Sequence, residues 1–366
     1  MERPWYSRFN WLLAATAVAL ALFGDIVIRS ATLHTPDAAS EWRKQLGYIA
    51  IGVVAMACCA WVDYRRWQRW ALYLYVINLG LLYLVWQSGH SALGAQRWIS
   101  LGPLGTFQPS EPAKLVLAIV IASLLASRQI AGFKEMFFTL SAVALPAFLI
   151  LKQPDLGTTL VIFGILTAQL FFGVSRTGYF VGYAAFAAAA AAFVVGTNVV
   201  LKPFQRSRLL IFLHPNVDPQ GAGWNLNQSK IAVGSGELFG KGLTHGTQTQ
   251  LDFVPEHSRD FIFTVVGEEL GYLGAIGLVC AYAIILFGAL RAVFAARDGF
   301  GLLLAVGLVA MLAFHVVVNI GMTVGIAPIT GIPLPFMSYG GSAIITDFAA
   351  VGILLNIHMQ RERLVF

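Results

Sequence analysis

The residues best suited to chemistry lie where polar stretches run directly into long apolar segments. The stretch "QTQLDFVPEHSRDFIFTVVGEELGYLG" places Asp252 and Asp260 immediately before such a segment. A carboxylate at this junction acts either as a base toward a substrate or as the cap of the helix that follows, since an acidic group is stabilised at a helix N-terminus. Residue chemistry alone leaves the two interpretations of Asp260 balanced.

Three other stretches combine polar residues with unusual backbone chemistry. "GAQRWISLGPLGTFQPSEPAKL" contains Arg97, Glu111 and Lys114, and Arg97 also fits a headgroup anchor beside a tryptophan. "KQPDLGTT" contains Asp155, for which helix capping is the preferred interpretation. "NIGMTVGIAPITGIPLPFMSYGGS" has a density of glycine and proline that predicts irregular backbone, buried in protein or lining a cavity.

The composition shows which elements must position these groups. Hydrophobic residues make up 58% of the 366 positions and charged residues 11%, whereas an ordinary soluble domain has about 25% charged residues. The 24 Lys and Arg residues lie between apolar runs rather than in one patch, which argues against a nucleic-acid-binding protein. The three cysteines lie within apolar runs and have no metal-ligand spacing. We therefore predict an all-α polytopic membrane protein with one integral membrane domain over 1–366.

Ten apolar segments are long enough to cross a bilayer. They span about 11–30, 45–63, 70–87, 112–126, 135–151, 157–174, 178–199, 261–290, 301–325 and 340–358. The first has no cleavage site of signal-peptide type, so it is expected to remain as a transmembrane helix.

The distribution of basic residues predicts the orientation. Loops on the side of the N-terminus carry twelve Lys and Arg residues, and the short loops on the other side carry six. Because positive loops remain inside, both termini are expected in the cytoplasm. The long loop at about 200–260 is then extracytoplasmic, and its mixture of apolar and polar residues favours an ordered segment with short amphipathic helices. All four polar stretches, one of which contains Asp260, are then expected at the outer end of the bundle.

Five motifs in this order resemble the SEDS family (shape, elongation, division and sporulation), particularly its elongation-type members. They are "GAQRWISLG…FQPSEPAK", "QPDLGT", "GAGWNLNQSKIAVGSGELFGKG", "SRDFIFTVVGEELGYLG" and "GIAPITGIPLPFMSYGGSA". The similarity covers nearly the whole chain with similar loop spacing. Thr330 stands where division-type members carry a lysine, which favours the elongation type.

The resemblance implies a membrane glycosyltransferase of the bacterial cytoplasmic membrane. Such an enzyme polymerises lipid II, the undecaprenyl-pyrophosphate-linked disaccharide-pentapeptide, into peptidoglycan strands for cell elongation and rod shape. The essential carboxylate of the family falls on Asp260, and an acidic residue that is also part of the family pattern falls on Asp252. A class B penicillin-binding protein with transpeptidase activity, together with the elongation machinery, is the implied partner. Spans eight and nine, with Phe294, Phe300 and Phe314, are candidate docking surfaces for it.

The implied reaction assigns roles to further residues. A pyrophosphate leaves as an anion, so one base and cationic stabilisation suffice, and Asp260 would be the base in an inverting reaction. The cations on the outer side that could hold the diphosphate are Arg97, Lys114, Arg206, Arg208, Lys230 and Lys241. Glu111 and Ser338 are expected to support the site. A divalent cation, Mg²⁺ or Mn²⁺, bridged by Asp252 or Glu256, is a further cofactor hypothesis.

A lipid II flippase is the rival hypothesis. It would share the polytopic fold and the substrate, and the intramembrane acids Asp25, Glu268, Glu269 and Asp347 could couple it to protons. Transporters bind near the membrane midplane, however, and the polar motifs here cluster at one end of the bundle. For Asp25 and Asp347 a buried hydrogen bond or a partner contact is the preferred interpretation. Glu268 and Glu269 are candidates for pairing with basic residues, and for Glu269 a structural role and a functional role are equally favoured.

Overall fold

The computed structural model describes residues 8–33, 40–88, 90–92, 95–100, 102, 105–128, 133–174, 176–197, 208, 212 and 222–360. Within them, the helices are α1 Trp11–Ala31, α2 Glu41–Trp61, α3 Tyr64–Ser88, α4 Ser110–Arg128, α5 Phe133–Lys152, α6 Leu156–Gly173, α7 Thr177–Gly196, α8 Ala222–Ser235, α9 Thr247–Gln250, α10 Ile262–Ala295, α11 Gly299–Val324 and α12 Gly341–Met359. The strands are β1 His90–Ala92, β2 Ala95–Ser100 and β3 Thr106–Phe107.

Ten of the described helices are long and apolar enough to span a membrane, all except α8 and α9. This confirms the predicted all-α polytopic architecture. The strands were not predicted, and they form a small antiparallel sheet of order β1-β2-β3 between α3 and α4. The sheet carries the polar stretch that includes Arg97.

The centre of the bundle is formed by α4, α11 and α12, whose side chains are largely buried. The helices α2 and α12 approach closely, because a Cβ at Gly352 would collide with the Met56 carbonyl oxygen. At the periphery lies α7, where Tyr183 is the one buried side chain among those described. The central helices therefore hold the loops that carry the polar motifs.

Capping accounts for several helix boundaries. Asp155 accepts a hydrogen bond from the Thr158 amide at 3.1 Å and caps α6, which confirms the preferred interpretation of this carboxylate. Asp298 caps α11 in the same way through the Gly301 amide. At its other end α11 stops at Gly325, whose φ of 83° lies in the left-handed region that favours glycine.

The glycine- and proline-rich stretch is irregular only in part. Its first residues, 319–324, are the last turns of α11, so the prediction of irregular backbone is wrong there. A helix can contain these residues because the first proline of the stretch comes only at Pro328. Residues 325–340 have no regular helix and are mostly buried, as expected.

Two of the aromatic residues proposed to flank a docking surface differ in their exposure to the surroundings of the bundle. Phe300 is buried, with its ring stacked on Tyr64 at 6.3 Å between centroids, so its part in the docking prediction is wrong. At the start of α11, the Phe300 side chain is packed into the bundle. Phe294 at the end of α10 is 86% exposed and remains available to lipid or to a partner.

Candidate active site

The segment 251–261 lies in tight turns directly before α10. Asp252 and Glu256 have positive φ angles of 57° and 55°, which marks sharp changes of chain direction. His257 is buried, and its ring nitrogens contact the carbonyl oxygens of Val254 at 2.9 Å and of Ala31, the last residue of α1, at 3.2 Å. The segment is thus tied to the end of the first transmembrane helix.

The irregular segment 325–340 holds the same turns from the opposite side. The Ser338 hydroxyl donates to the Arg259 carbonyl oxygen at 2.5 Å, and the Tyr339 amide donates to the Ser258 carbonyl oxygen at 2.9 Å. Ser338, predicted to support the site, therefore contacts the residue directly before Asp260. Its own carbonyl oxygen accepts from the Gln45 side chain at 3.1 Å, which joins α2 to the arrangement.

Asn319 fixes the main chain of Asp260 itself. Its side-chain Nδ2 donates to the Asp260 carbonyl oxygen at 2.8 Å and to the Ile332 carbonyl oxygen at 2.7 Å. Asn319 is fully buried. The amide of a single residue in α11 thus clamps together the two loops that meet at the site.

The side chain of Asp260 does not cap α10. The N-cap residue is Phe261, and among the described residues no side-chain hydrogen bond caps this end of the helix. The capping interpretation of Asp260 is therefore wrong. A Cβ built at Gly331 would lie 3.1 Å from Asp260 Oδ2 and 3.6 Å from Arg208 Nη1, so the carboxylate and the guanidinium both reach the space over this glycine.

Burial, together with the Glu256 carboxylate, raises the pKa of Asp260 from 3.8 to about 6. The guanidinium groups of Arg208, Arg259 and Arg97 act in the opposite direction and limit the rise. Burial also lowers the pKa of Arg208, an effect that Asp260 partly opposes. The result is a carboxylate suited to accept a proton near neutral pH, surrounded by cations suited to an anion.

Arg97 also contributes to the architecture of the site. Its Nε donates to the Gln153 carbonyl oxygen at 3.0 Å, and its Nη2 donates to the Pro154 carbonyl oxygen. These bonds fasten β2 to the loop that precedes α6, where Asp155 also accepts from the Ser110 hydroxyl at 3.2 Å. The described contacts of Arg97 are therefore with protein backbone rather than at a tryptophan-lined membrane surface.

Lys114 and Glu111 are buried inside the helical bundle. Lys114 is 1% exposed, with Nζ 2.8 Å from Glu111 Oε2 and 3.0 Å from His315 Nε2. The Glu111 contact lies within α4, and the His315 contact joins α4 to α11 inside the bundle. Because Lys114 is enclosed by these partners, the structure does not bring it together with Arg208 over Gly331.

The other predicted cations lie apart from Asp260. The end of the Lys230 side chain packs on Gly325, at the C-terminus of α11, where a cation is stabilised by the helix dipole. Lys241 Nζ lies 2.8 Å from Glu268 Oε1, which confirms the expected pairing of Glu268 with a basic residue. Glu269 instead accepts from the Ser30 hydroxyl at 2.6 Å. Arg206 lies outside the described residues.

The intramembrane acids of the first and last spans are both buried, Asp25 in α1 and Asp347 in α12. Asp25 Oδ1 has no hydrogen-bond partner among the described residues, so the expected buried hydrogen bond is not seen for this oxygen. Asp347 lies within electrostatic reach of Lys114 and Glu111 and accepts from the Phe336 amide. It therefore lies with Lys114 and Glu111 rather than with the Asp260 segment.

The residues proposed for a divalent cation do not converge. Asp252 is 61% exposed at its side chain, with Oδ1 3.3 Å from His257 Nδ1. Glu256 Oε2 lies 3.2 Å from Arg259 Nη1. In the part of the chain that the structure describes, no group of three or more His, Cys, Asp or Glu side chains could hold a metal ion. The described residues therefore form no multi-ligand metal centre, and a divalent cation bridged by Asp252 or Glu256 alone stays a prediction.

Sequence reasoning missed Arg259, Asn319 and Gly331. Arg259 adjoins Asp260 in the chain and could have been included among the cations. Asn319 gave a weaker signal, an amide within an apolar span. The role of Gly331 depends on a contact between segments 71 residues apart in sequence, which spacing alone does not reveal.

Fold and site together define a polytopic membrane protein with a carboxylate-and-arginine site at one end of its helical bundle. A model of the FtsW, RodA and SpoVE cell cycle proteins matches residues 10–363, and the chain belongs to this family.

Curated relatives from several bacteria are similar over nearly their full length. Peptidoglycan glycosyltransferase MrdB of Escherichia coli K12 is 39% identical over 349 residues, 95% of this chain and 92% of the relative. Stage V sporulation protein E of Bacillus subtilis is 36% identical, over 94% of this chain and 96% of the relative.

Solved structures share the fold. Rod shape determining protein RodA of Thermus thermophilus superposes with a TM-score of 0.71 at 29% identity, covering 97% of this chain and 98% of that one. A chain from a structure described as the coordination of polymerization and crosslinking by a peptidoglycan synthase complex gives 0.80 at 31% identity, covering 96% of this chain and 97% of that one.

Proposed function

We propose that this protein is a peptidoglycan glycosyltransferase that polymerises lipid II on the outer face of the bacterial cytoplasmic membrane, for elongation and rod shape. The observation that carries the proposal is the Asp260 carboxylate, which caps no helix, has a pKa raised to about 6 and shares the space over Gly331 with the guanidinium of Arg208. The named activity of the relatives supports it.

Asp260 acts as the general base in this proposal. Its ionised carboxylate takes the proton from the 4-hydroxyl of the acceptor sugar as the oxygen forms a bond to C1 of the donor sugar. The bond from C1 to the lipid diphosphate breaks, and the diphosphate leaves with the electron pair. Attack opposite the leaving group inverts C1. A pKa near 6 keeps the base largely ionised at neutral pH while retaining affinity for the proton.

Arg208 is the best placed cation for the departing diphosphate. Its guanidinium reaches the space over Gly331 beside Asp260, and a planar guanidinium binds phosphate oxygens in pairs. Arg97 and Arg259 add positive potential, while other contacts hold them in place. The charge that develops on the leaving group is thus stabilised by preorganised cations, without a general acid.

The proposal includes orientation and partner. The bias of basic residues in the short loops supports an orientation with both termini in the cytoplasm and the Asp260 end of the bundle outside. The partner is a class B penicillin-binding protein that crosslinks the growing strand, in keeping with the similarity to a chain of a peptidoglycan synthase complex. A divalent-cation requirement stays a prediction, to be measured by chelation with EDTA and re-addition of Mg²⁺ or Mn²⁺.

The decisive experiment supplies purified protein with lipid II, alone and with the partner, and measures glycan polymer on gels. Polymer that depends on Asp260 supports the proposal. Absence of polymer under both conditions, combined with transfer of labelled lipid II across proteoliposome membranes, would favour the flippase instead.

A further inference from the structure

The helix α10 is interrupted near the active site. Gly271 has φ 65° and ψ −162°, which separates the helix into segments 262–270 and 272–295. Such a break removes hydrogen bonds between successive turns, and the freed backbone groups need other partners where water is scarce. The active-site carboxylate lies just before the shorter segment.

The glycine-rich stretch 236–242 supplies those partners. Four backbone hydrogen bonds join it to the broken helix: Lys241 N to Glu268 O (3.1 Å), Gly242 N to Glu269 O (2.9 Å), Tyr272 N to Glu237 O (2.8 Å) and Leu273 N to Leu238 O (3.2 Å). In two of these bonds an amide of the stretch donates to a carbonyl before the break. In the other two a carbonyl of the stretch accepts from an amide after the break. A Cβ at Gly236 or Gly240 would collide with carbonyl oxygens of α10, so glycine permits this approach.

The break stands close to a bilayer surface. Segment 272–295 has 24 residues, which rise about 36 Å at 1.5 Å per residue. This is slightly more than the roughly 30 Å of a hydrocarbon core. Arg291 and Arg297 mark the far end of the span. The stretch 236–242, bonded to the first turn after Gly271, is therefore level with the edge of the hydrocarbon on the side of Asp260.

The tip of this stretch is apolar. Leu238 is 57% exposed and Phe239 is 79% exposed, beside the exposed Tyr272 and Leu273 of the span. Part of the main chain at the tip is paired within the protein, since the carbonyls of residues 237 and 238 accept from α10 and the Gly240 amide donates to Gly236 O at 2.7 Å. This pairing lowers the cost of placing the tip against hydrocarbon.

We propose that Leu238 and Phe239 insert among the acyl chains of the leaflet on the Asp260 side and anchor the active-site loop to the membrane surface. The side chains lie at the depth of the first lipid-facing turn of the span, and their surface is continuous with that of Tyr272 and Leu273. Glu237, which directly precedes the tip and is exposed, is suited to the headgroup layer. The four backbone hydrogen bonds to α10 connect this anchor to segment 262–270, and so to the turn that carries Asp260.

The test measures depth by spin labelling and needs no enzymatic turnover. Phe239→Cys and, separately, Leu238→Cys are labelled with a nitroxide in a background without the three native cysteines and reconstituted in phosphatidylglycerol–phosphatidylethanolamine nanodiscs. His245→Cys, exposed on the polar part of the same loop, is the water control, and Ile276→Cys on the lipid-facing span is the hydrocarbon control.

The expected result is that collisions with oxygen exceed collisions with a water-soluble nickel chelate at both tip positions, as at Ile276, with the opposite order at His245. Nickel accessibility at the tip equal to that at His245 would overturn the proposal. Shielding of the tip from both reagents in the presence of the class B penicillin-binding protein would also overturn the proposal, because the tip would then contact protein rather than lipid.

Discussion

Asp260→Asn is expected to inactivate the protein while stabilising it. The amide keeps the size of the side chain but accepts no proton from a hydroxyl, and loss of a general base reduces rates by about 10²–10⁴. No cap is lost, because Phe261 is the N-cap residue of α10 and no side chain caps that end. A capping role would give a different result, with a silent Asn and a damaging Ala.

The stabilisation follows from the raised pKa of Asp260. A carboxyl group with a pKa of 3.8 when unfolded and about 6 when folded binds its proton more tightly in the folded state. The free energy of unfolding therefore falls as pH rises from about 4 to 6, and above that window the full loss is present. A shift of about two pKa units corresponds to about 3 kcal/mol at neutral pH. The neutral Asn does not incur this loss.

Two measurements on the same preparations test both parts. Lipid II polymerisation at pH 7.5 should fall at least about 100-fold, and the melting temperature in detergent should rise relative to wild type at pH 7.5 and converge with it near pH 4. Glu237→Gln removes an exposed charge from the same side of the bundle and serves as the control. Near-normal polymer yield from Asp260→Asn would refute the catalytic assignment.

Three further predictions address the surroundings of this carboxylate. Asn319→Asp removes both donors to backbone carbonyls, so we expect a loss of about 1–3 kcal/mol in unfolding free energy and a displaced midpoint in the pH–rate profile; an unchanged midpoint would limit Asn319 to structure. Gly331→Ala places a methyl group against the carboxylate at a φ of 69° and should reduce polymer yield, whereas Gly182→Ala, with nothing within 4 Å, should not; equal yields would contradict the site geometry. A membrane-impermeant thiol reagent added outside intact cells should label His245→Cys and not Arg297→Cys, and the reverse pattern would overturn the orientation.

Hydrophobicity made the ten spans predictable, because a bilayer requires long apolar helices whatever their neighbours are. The capping of α6 by Asp155 was equally local. The clamp of Asn319 and the space over Gly331 depend on how distant loops meet, which periodicity does not encode. The helix break at Gly271 was hidden inside a segment predicted as one span, because its partners come from a separate glycine-rich stretch.

The pairing of Lys114 with Glu111 has a consequence for how the protein enters the membrane. The two charges are three residues apart in α4, so they can neutralise one another within a single helix while the chain is still being inserted. His315 of α11 becomes available to Lys114 only after about two hundred further residues have been synthesised. Glu111→Gln would leave the lysine unpaired during this interval. Protease-protection of α4 during synthesis should therefore report the defect before any assay of the mature protein does.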